Sequence, residues 1–252
     1  QVNQLLLQAE ILWPAMLAGA LVLATHVPLG REVLKRGIIF LDLAIAQTAA
    51  FGVVLANTIS DDGNGPLATT LIAVIAAIIG SMALYSIRKI EVRVQESCIG
   101  ILFVLMATGI ILLLSADPHG GDKLKAILVG QILWLQLSDL LSLAAVYTAT
   151  LAVWLLGRET IREWLFYPLF AITITMSTQI VGVYLVFASL IVPAVVTLYK
   201  THSLPKAYAI GATGYILGLV GSAALDLPAG ASIVWTMVIA ASLYFLLSRE
   251  RQ

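Results

Sequence analysis

Charge is scarce in this chain, and so are the residues that build most soluble catalytic centres. Of 252 residues only 11% are charged, one is cysteine and three are histidine. The lone Cys98 excludes an internal disulfide or a cysteine metal cluster and reads as a small apolar side chain. His26, His119 and His202 lie far apart, and no His-Glu-x-x-His occurs, which argues against a three-histidine metal centre. The phosphate loop Gly-x-x-x-x-Gly-Lys-Ser/Thr is also missing, so the chain carries no ATP site of that kind. A formal net charge of zero gives no basic excess for nucleic acid. No cleavable signal is expected either, because the apolar run at Leu5 to Leu7 is short and no lysine or arginine precedes Arg31.

What is present is apolar length. The chain is 60% hydrophobic with a mean hydropathy of +1.00, which predicts an all-α, polytopic transmembrane helical bundle embedded in a lipid bilayer, with residues 1–252 forming a single domain. Windows of about 20 residues place nine spans near 11–27, 38–57, 67–86, 97–115, 137–156, 163–180, 182–199, 205–223 and 230–248. The sixth and seventh are separated only by residues 179–182, where a broken or re-entrant element is an alternative.

Orientation follows from the basic residues, which concentrate in short cytoplasmic loops. Twelve of the fourteen lysines and arginines fall on one side of this arrangement, and only Lys123 and Lys125 on the other. The N-terminus is then expected outside and the C-terminus in the cytoplasm, in agreement with an odd number of spans. The outer loops become 57–66, 116–136 and 226–230, each with acids. Asp61 and Asp62 precede Gly63, Asn64 and Gly65 and read as a solvated turn. Asp117, His119 and Asp122 could touch a divalent cation, but with Gly120 and Gly121 between them a surface loop is the plainer reading.

The stretch 35–52 stands apart, because Asp42, Gln47 and Thr48 lie inside a membrane-length apolar run. Ionisable residues in spans tend to face a bundle interior or an aqueous path, so Asp42 is a candidate for a substrate path and for binding a metal. It also lies only about 6 Å along the helix from Ile38, at 1.5 Å per residue, where pairing with Arg36 or reaching water would make it an anchor. Gln47 and Thr48 are candidates for the same path or for hydrogen bonds between helices. Further on, Gly211, Gly214, Gly218 and Gly221 line one face of the eighth span and predict close helix approach, within one chain or between two.

Residues 179–186 (Gln-Ile-Val-Gly-Val-Tyr-Leu-Val), 190–194 (Leu-Ile-Val-Pro-Ala) and 225–230 (Leu-Asp-Leu-Pro-Ala-Gly) carry a specific wording, preceded in the first half by Pro28-Leu29-Gly30, 99–103 (Ile-Gly-Ile-Leu-Phe) and 130–133 (Gly-Gln-Ile-Leu). In this order they resemble the permease subunits of the zinc/manganese ABC importer family, over nearly the whole chain. The resemblance implies a type II importer permease, itself not an enzyme, in the cell membrane. It further implies a homodimer that works with two cytoplasmic ATPase subunits, receives substrate from an extracytoplasmic binding protein, holds no covalent cofactor and moves zinc or manganese.

Two departures stand out. The family carries Asp-x-x-x-His in its second span, whereas the aligned positions here, counted back from Gly52, are Leu43 and Gln47. Asp42 and Gln47 are five residues apart, about 140° around a helix, and do not rebuild that pair. The cytoplasmic connection after the fifth span is also short, running from Gly157 to Trp164. Its Arg158, Glu159, Arg162 and Glu163 are candidates for contact with the ATPase, the alternative being a charged loop anchored by an interfacial Trp164. Besides the permease, two readings stay open: an ion-coupled or ATPase-independent carrier on the same fold, and a membrane scaffold that transports nothing.

Overall fold

A computed structural model describes residues 2–59, 65–156, 159–200 and 203–249. Among them the chain forms ten α-helices: α1 Val2–Arg36, α2 Leu41–Ile59, α3 Pro66–Ser86, α4 Val92–Leu114, α5 Gly120–Val129, α6 Leu137–Leu156, α7 Glu159–Val181, α8 Val183–Lys200, α9 Leu204–Leu225 and α10 Ala229–Arg249. A single 3-10 turn, Ile132–Trp134, follows α5. Eight helices are long and apolar enough to cross a membrane, while the described apolar part of α8, Val183–Val196, is shorter. The nine expected spans thus appear as these eight together with α8, Val183–Lys200.

Outward faces are apolar as well as the core. Ile75 and Ile79 on α3, Leu105 and Leu112 on α4 and Leu246 on α10 are more than half exposed, as lipid contact requires of a spanning helix. The chain is a multi-pass membrane protein. Its interior gathers around α1, α2, α7 and α8, where Leu29, Leu41, Ile45, Phe170 and Leu185 are buried.

The first helix is longer than the expected 11–27 and passes through Pro14 and Pro28. A proline removes one backbone hydrogen bond, and packed neighbours let a membrane helix continue past it. Gly30 permits that packing, since a Cβ there would run into the Leu190 carbonyl of α8. The connection to α2 shrinks accordingly to residues 37–40. Gly37 takes φ +71°, its N–H donates to the Leu34 carbonyl at 3.1 Å, and the Ile38 N–H donates to Val33 at 3.3 Å. This is a Schellman-type end, with Lys35 and Arg36 placed where the helix dipole favours cations.

The expected loop 116–136 instead contains α5 and the 3-10 turn. Leu124, Ile127 and Leu128 recur at helical spacing and pack on the core, which makes a ten-residue helix worthwhile though it is far too short to span. Gly130 and Gly182, at φ +77° and +81°, then meet backbone to backbone. Gly182 is the break between α7 and α8, and the Gln131 N–H donates to the Ile180 carbonyl at 3.2 Å. Gly230, at the start of α10, sits against the Val129 carbonyl. The glycine face of α9 is used within the chain: Gly211 receives Leu23 of α1, and Gly214 and Gly218 receive Met237 and Ile233 of α10.

Candidate functional site

The three-way glycine junction brings α5, α8 and α10 together opposite α2 and α4. Between these helices lies a cavity of about 490 Å³, lined among others by Leu43, Gln47, Phe103, Leu128, Tyr184, Phe187 and Trp235. Leu43 and Gln47 are one helical turn apart and share this wall. Gln47 is only 4% exposed, and its Oε1 has no hydrogen-bond partner among the described residues. The remaining wall is apolar and aromatic, so that amide is the conspicuous polar group on it. Thr48 points elsewhere: its hydroxyl donates to the Ala44 carbonyl of its own helix at 2.7 Å, and its side chain meets Gly80 of α3. The expected hydrogen bond from Thr48 to another helix is therefore not made, because the i−4 carbonyl is nearer.

Asp42 sits in the first turn of α2, with no exposed surface. Pairing with Arg36 does not occur. Arg36 turns back to Glu32 at 3.0 Å, an i, i+4 pair, and lies 4.3 Å over the Phe166 ring. Both Asp42 carboxylate oxygens lack a hydrogen-bond partner within normal geometry. The charged group acting on Asp42 is Glu96, in the second turn of α4. Glu96 lies against the backbone N–H groups of Ile39 and Phe40, which precede α2, while its Oε1 is buried and unpartnered. Glu96 is absent from the candidates drawn from sequence, because it falls one residue outside the expected span 97–115. An acid so close to an apolar run was the available signal.

The turn and the cavity are joined by aromatic packing. Phe40 stacks on Phe187, with ring centroids 6.5 Å apart and planes 8° from parallel. Behind the cavity, the hydroxyls of Tyr147 and Ser177 pair, and Ser189 and Tyr215 pair at 2.9 Å, satisfying polar groups in the helix interior.

Other sequence candidates resolve differently. Asp117 is engaged by Lys123 and by the His119 N–H at 2.8 Å, and these contacts hold its carboxyl below the ordinary range. Its role is to start α5, and among the described residues no group of three or more His, Cys, Asp or Glu side chains is arranged to hold a metal. Arg158, like Asp61 and Asp62, lies outside the described residues. Glu159 and Arg162 belong to the first turn of α7, so most of the expected connection is helix, and Glu163 is exposed beside an exposed Trp164.

The pattern of the ABC 3 transport family matches residues 8–162 and 158–249. The manganese transport system membrane protein MntC of Bacillus subtilis is 28% identical over 92% of this chain, and the chain spans 59% of that relative's length. A protein of Chlamydia muridarum described as a probable metal transport system membrane protein is 28% identical, over 95% of this chain and 90% of its own length. Among solved structures, PsaBC from Streptococcus pneumoniae in complex with Fab superposes with a TM-score of 0.76 at 22% identity, covering 97% of this chain and 95% of that one. An inward-facing transporter described as of the metal-chelate ABC type gives 0.67 at 19% identity, covering 94% and 85%. These likenesses establish the fold of ABC permeases. With a family pattern that runs through both halves, on a polytopic bundle of that same fold, this chain belongs to the ABC 3 transport family.

Proposed function

We propose that the chain is the membrane-spanning permease subunit of an ABC importer for a divalent metal cation such as zinc or manganese, with residues 1–252 acting as one permease unit. The observation that carries this is Gln47: a buried oxygen without a donor, on the wall of a cavity between α2 and α8, at the register where the family carries an imidazole. A neutral amide oxygen is a harder ligand than imidazole and suits manganese better than zinc. Asp42 belongs to the same path in this reading, as its metal-binding acid, whereas Thr48, turned toward Gly80, supports α2 from the side facing α3.

The remaining parts follow the family. The permease is a homodimer in the cell membrane, its N-terminus outside and its C-terminus in the cytoplasm. Two ATPase subunits on separate chains hydrolyse ATP and contact Arg158, Glu159, Arg162 and Glu163, and an extracytoplasmic protein delivers the metal. Support for the orientation is the twelve-to-two distribution of basic residues. Reconstitution with the partner ATPase and binding protein tests the reading. Radioactive manganese or zinc should enter proteoliposomes only with ATP, and charge reversal at the four coupling residues should uncouple it. Uptake by this chain alone would replace the importer with an ATPase-independent carrier.

A further inference from the structure

Asp42 and Glu96 together leave three buried carboxylate oxygens outside normal hydrogen-bond geometry, namely both of Asp42, which has only its own and the Leu43 backbone N–H nearby, and Oε1 of Glu96. Their proximity is built into the backbone. The Glu96 carboxylate lies against the backbone N–H groups of Ile39 and Phe40, which are three and two residues before Asp42, and α2 packs along α4. Neither acid forms an ion pair among the described residues. Of the basic side chains on the neighbouring segments, Arg36 is taken up by Glu32 and Phe166 and Arg88 by the Tyr85 ring and carbonyl, and among the described residues Arg31, Lys35, Lys89 and Arg93 form no ion pair with either acid. Asp42 has no exposed surface, so bulk water does not solvate it.

An unpaired carboxylate in such a place requires a proton or a cation to be tolerable. We infer that Asp42 and Glu96 form a divalent-cation site at the α1–α2 turn, with Glu96 as a second protein ligand beside Asp42. Two carboxylates are hard oxygen donors of the kind that hold manganese or magnesium, the rest of the shell being left to water. Phe40, flanked by this site and stacked on Phe187, links it to the cavity that Gln47 lines. On the orientation proposed above, the pair lies on the cytoplasmic side of that cavity. As a station for transported metal the site rests on the metal-permease reading, whereas as a binding site it does not.

Mn²⁺ alone, titrated into the full-length permease in nanodiscs without ATPase and followed by electron paramagnetic resonance, separates the two. The wild type should bind stoichiometrically, Asp42→Asn and Glu96→Gln should each weaken binding at least about tenfold, as loss of a ligand should exceed loss of its outer support, and Gly221→Ala, which meets open space on α9, should leave binding unchanged. The amide introduced by Glu96→Gln would still offer an oxygen to the Ile39 and Phe40 N–H groups, so that variant should fold. If it is not monodisperse, infrared spectra of the wild type decide: stoichiometric Mn²⁺ must shift carboxylate bands. Unaltered bands, or equal binding by the wild type and both variants, overturn the site even where metal uptake is found. Carboxylate-dependent binding without uptake upholds the site and removes the metal-permease reading instead.

Discussion

Phe40 and Phe187 lie nearly parallel, 6.5 Å between ring centroids, one in the turn that opens α2 and the other on the cavity wall of α8. This contact makes the α1–α2 turn part of the cavity's construction. A change at Gly37, Glu96 or Asp42 therefore reaches the cavity through the half-exposed Phe40 ring, and the variants below bear on both places.

Replacing Gly182 with alanine should disrupt the bundle. Its positive φ alone costs an L-residue roughly 1–2 kcal/mol, and a Cβ there would strike the backbone of Val129 and Gly130. Gly130→Ala should behave alike for the reciprocal reason. Gly221→Ala meets open space in a helix and should be neutral or stabilising by up to about 1 kcal/mol. Thermal unfolding in detergent, followed by monodispersity, ranks the three.

Within span two, uptake should depend on Asp42 more than on Gln47. Asp42→Asn removes a charge, whereas Gln47→Ala removes at most a hydrogen bond of about 0.6 kcal/mol in a membrane interior. Because Gln47 Oε1 has no protein partner among the described residues, Gln47→Ala should cost little stability and its effect should appear as altered substrate preference. Metal uptake at equal membrane expression checks both statements. Normal transport by Asp42→Asn would make Asp42 a structural residue.

Much of this fold was legible because nine apolar runs of membrane length announce themselves. The expected 67–86 and 137–156 reappear as Pro66–Ser86 and Leu137–Leu156. Residues 179–182 also read correctly as a breaking point, since glycine interrupts two full spans' worth of apolar chain. Less legible were features decided by partners distant in sequence. The helix α5 is shorter than any hydropathy window and survives by packing. Arg36 chose Glu32, four residues back on its own helix, over Asp42 across a turn. Glu96 lies just ahead of an apolar run, and only the fold brings it against the backbone of Ile39 and Phe40, in the segment before α2.

Orientation is open to direct labelling. In a Cys98→Ser background, cysteine at His119 should react with an impermeant thiol reagent added outside intact cells, and cysteine at Lys89 only after the membrane is permeabilised. Labelling of the Lys89 position from outside would reverse the proposed topology.

The pair of Asp117 and Lys123 sets a pH dependence for the start of α5. The folded-state value of Asp117 is depressed, so the stabilisation is present above the unfolded value of 3.8 and is lost as pH falls through the lower folded one. Acidification through that range should speed amide exchange in residues 119–123, corrected for the intrinsic rate. Lys123→Met should loosen the same amides already at neutral pH. The effect should be confined to this turn, since the pair is largely solvated.

The contact of Gly230 with Val129 has a consequence for how the protein is made. Val129 emerges from the ribosome about 100 residues before its partner, and synthesis runs from the N-terminus. By then α2, α4, α5 and α8 are available, but Ala231, Val234 and Trp235 are not, so the cavity stands open along one flank. The site is completed only when α10 is inserted. A nascent chain stalled after Leu225 would hold most of the bundle with this flank missing, exposing the interior to lipid and to membrane proteases until α10 docks.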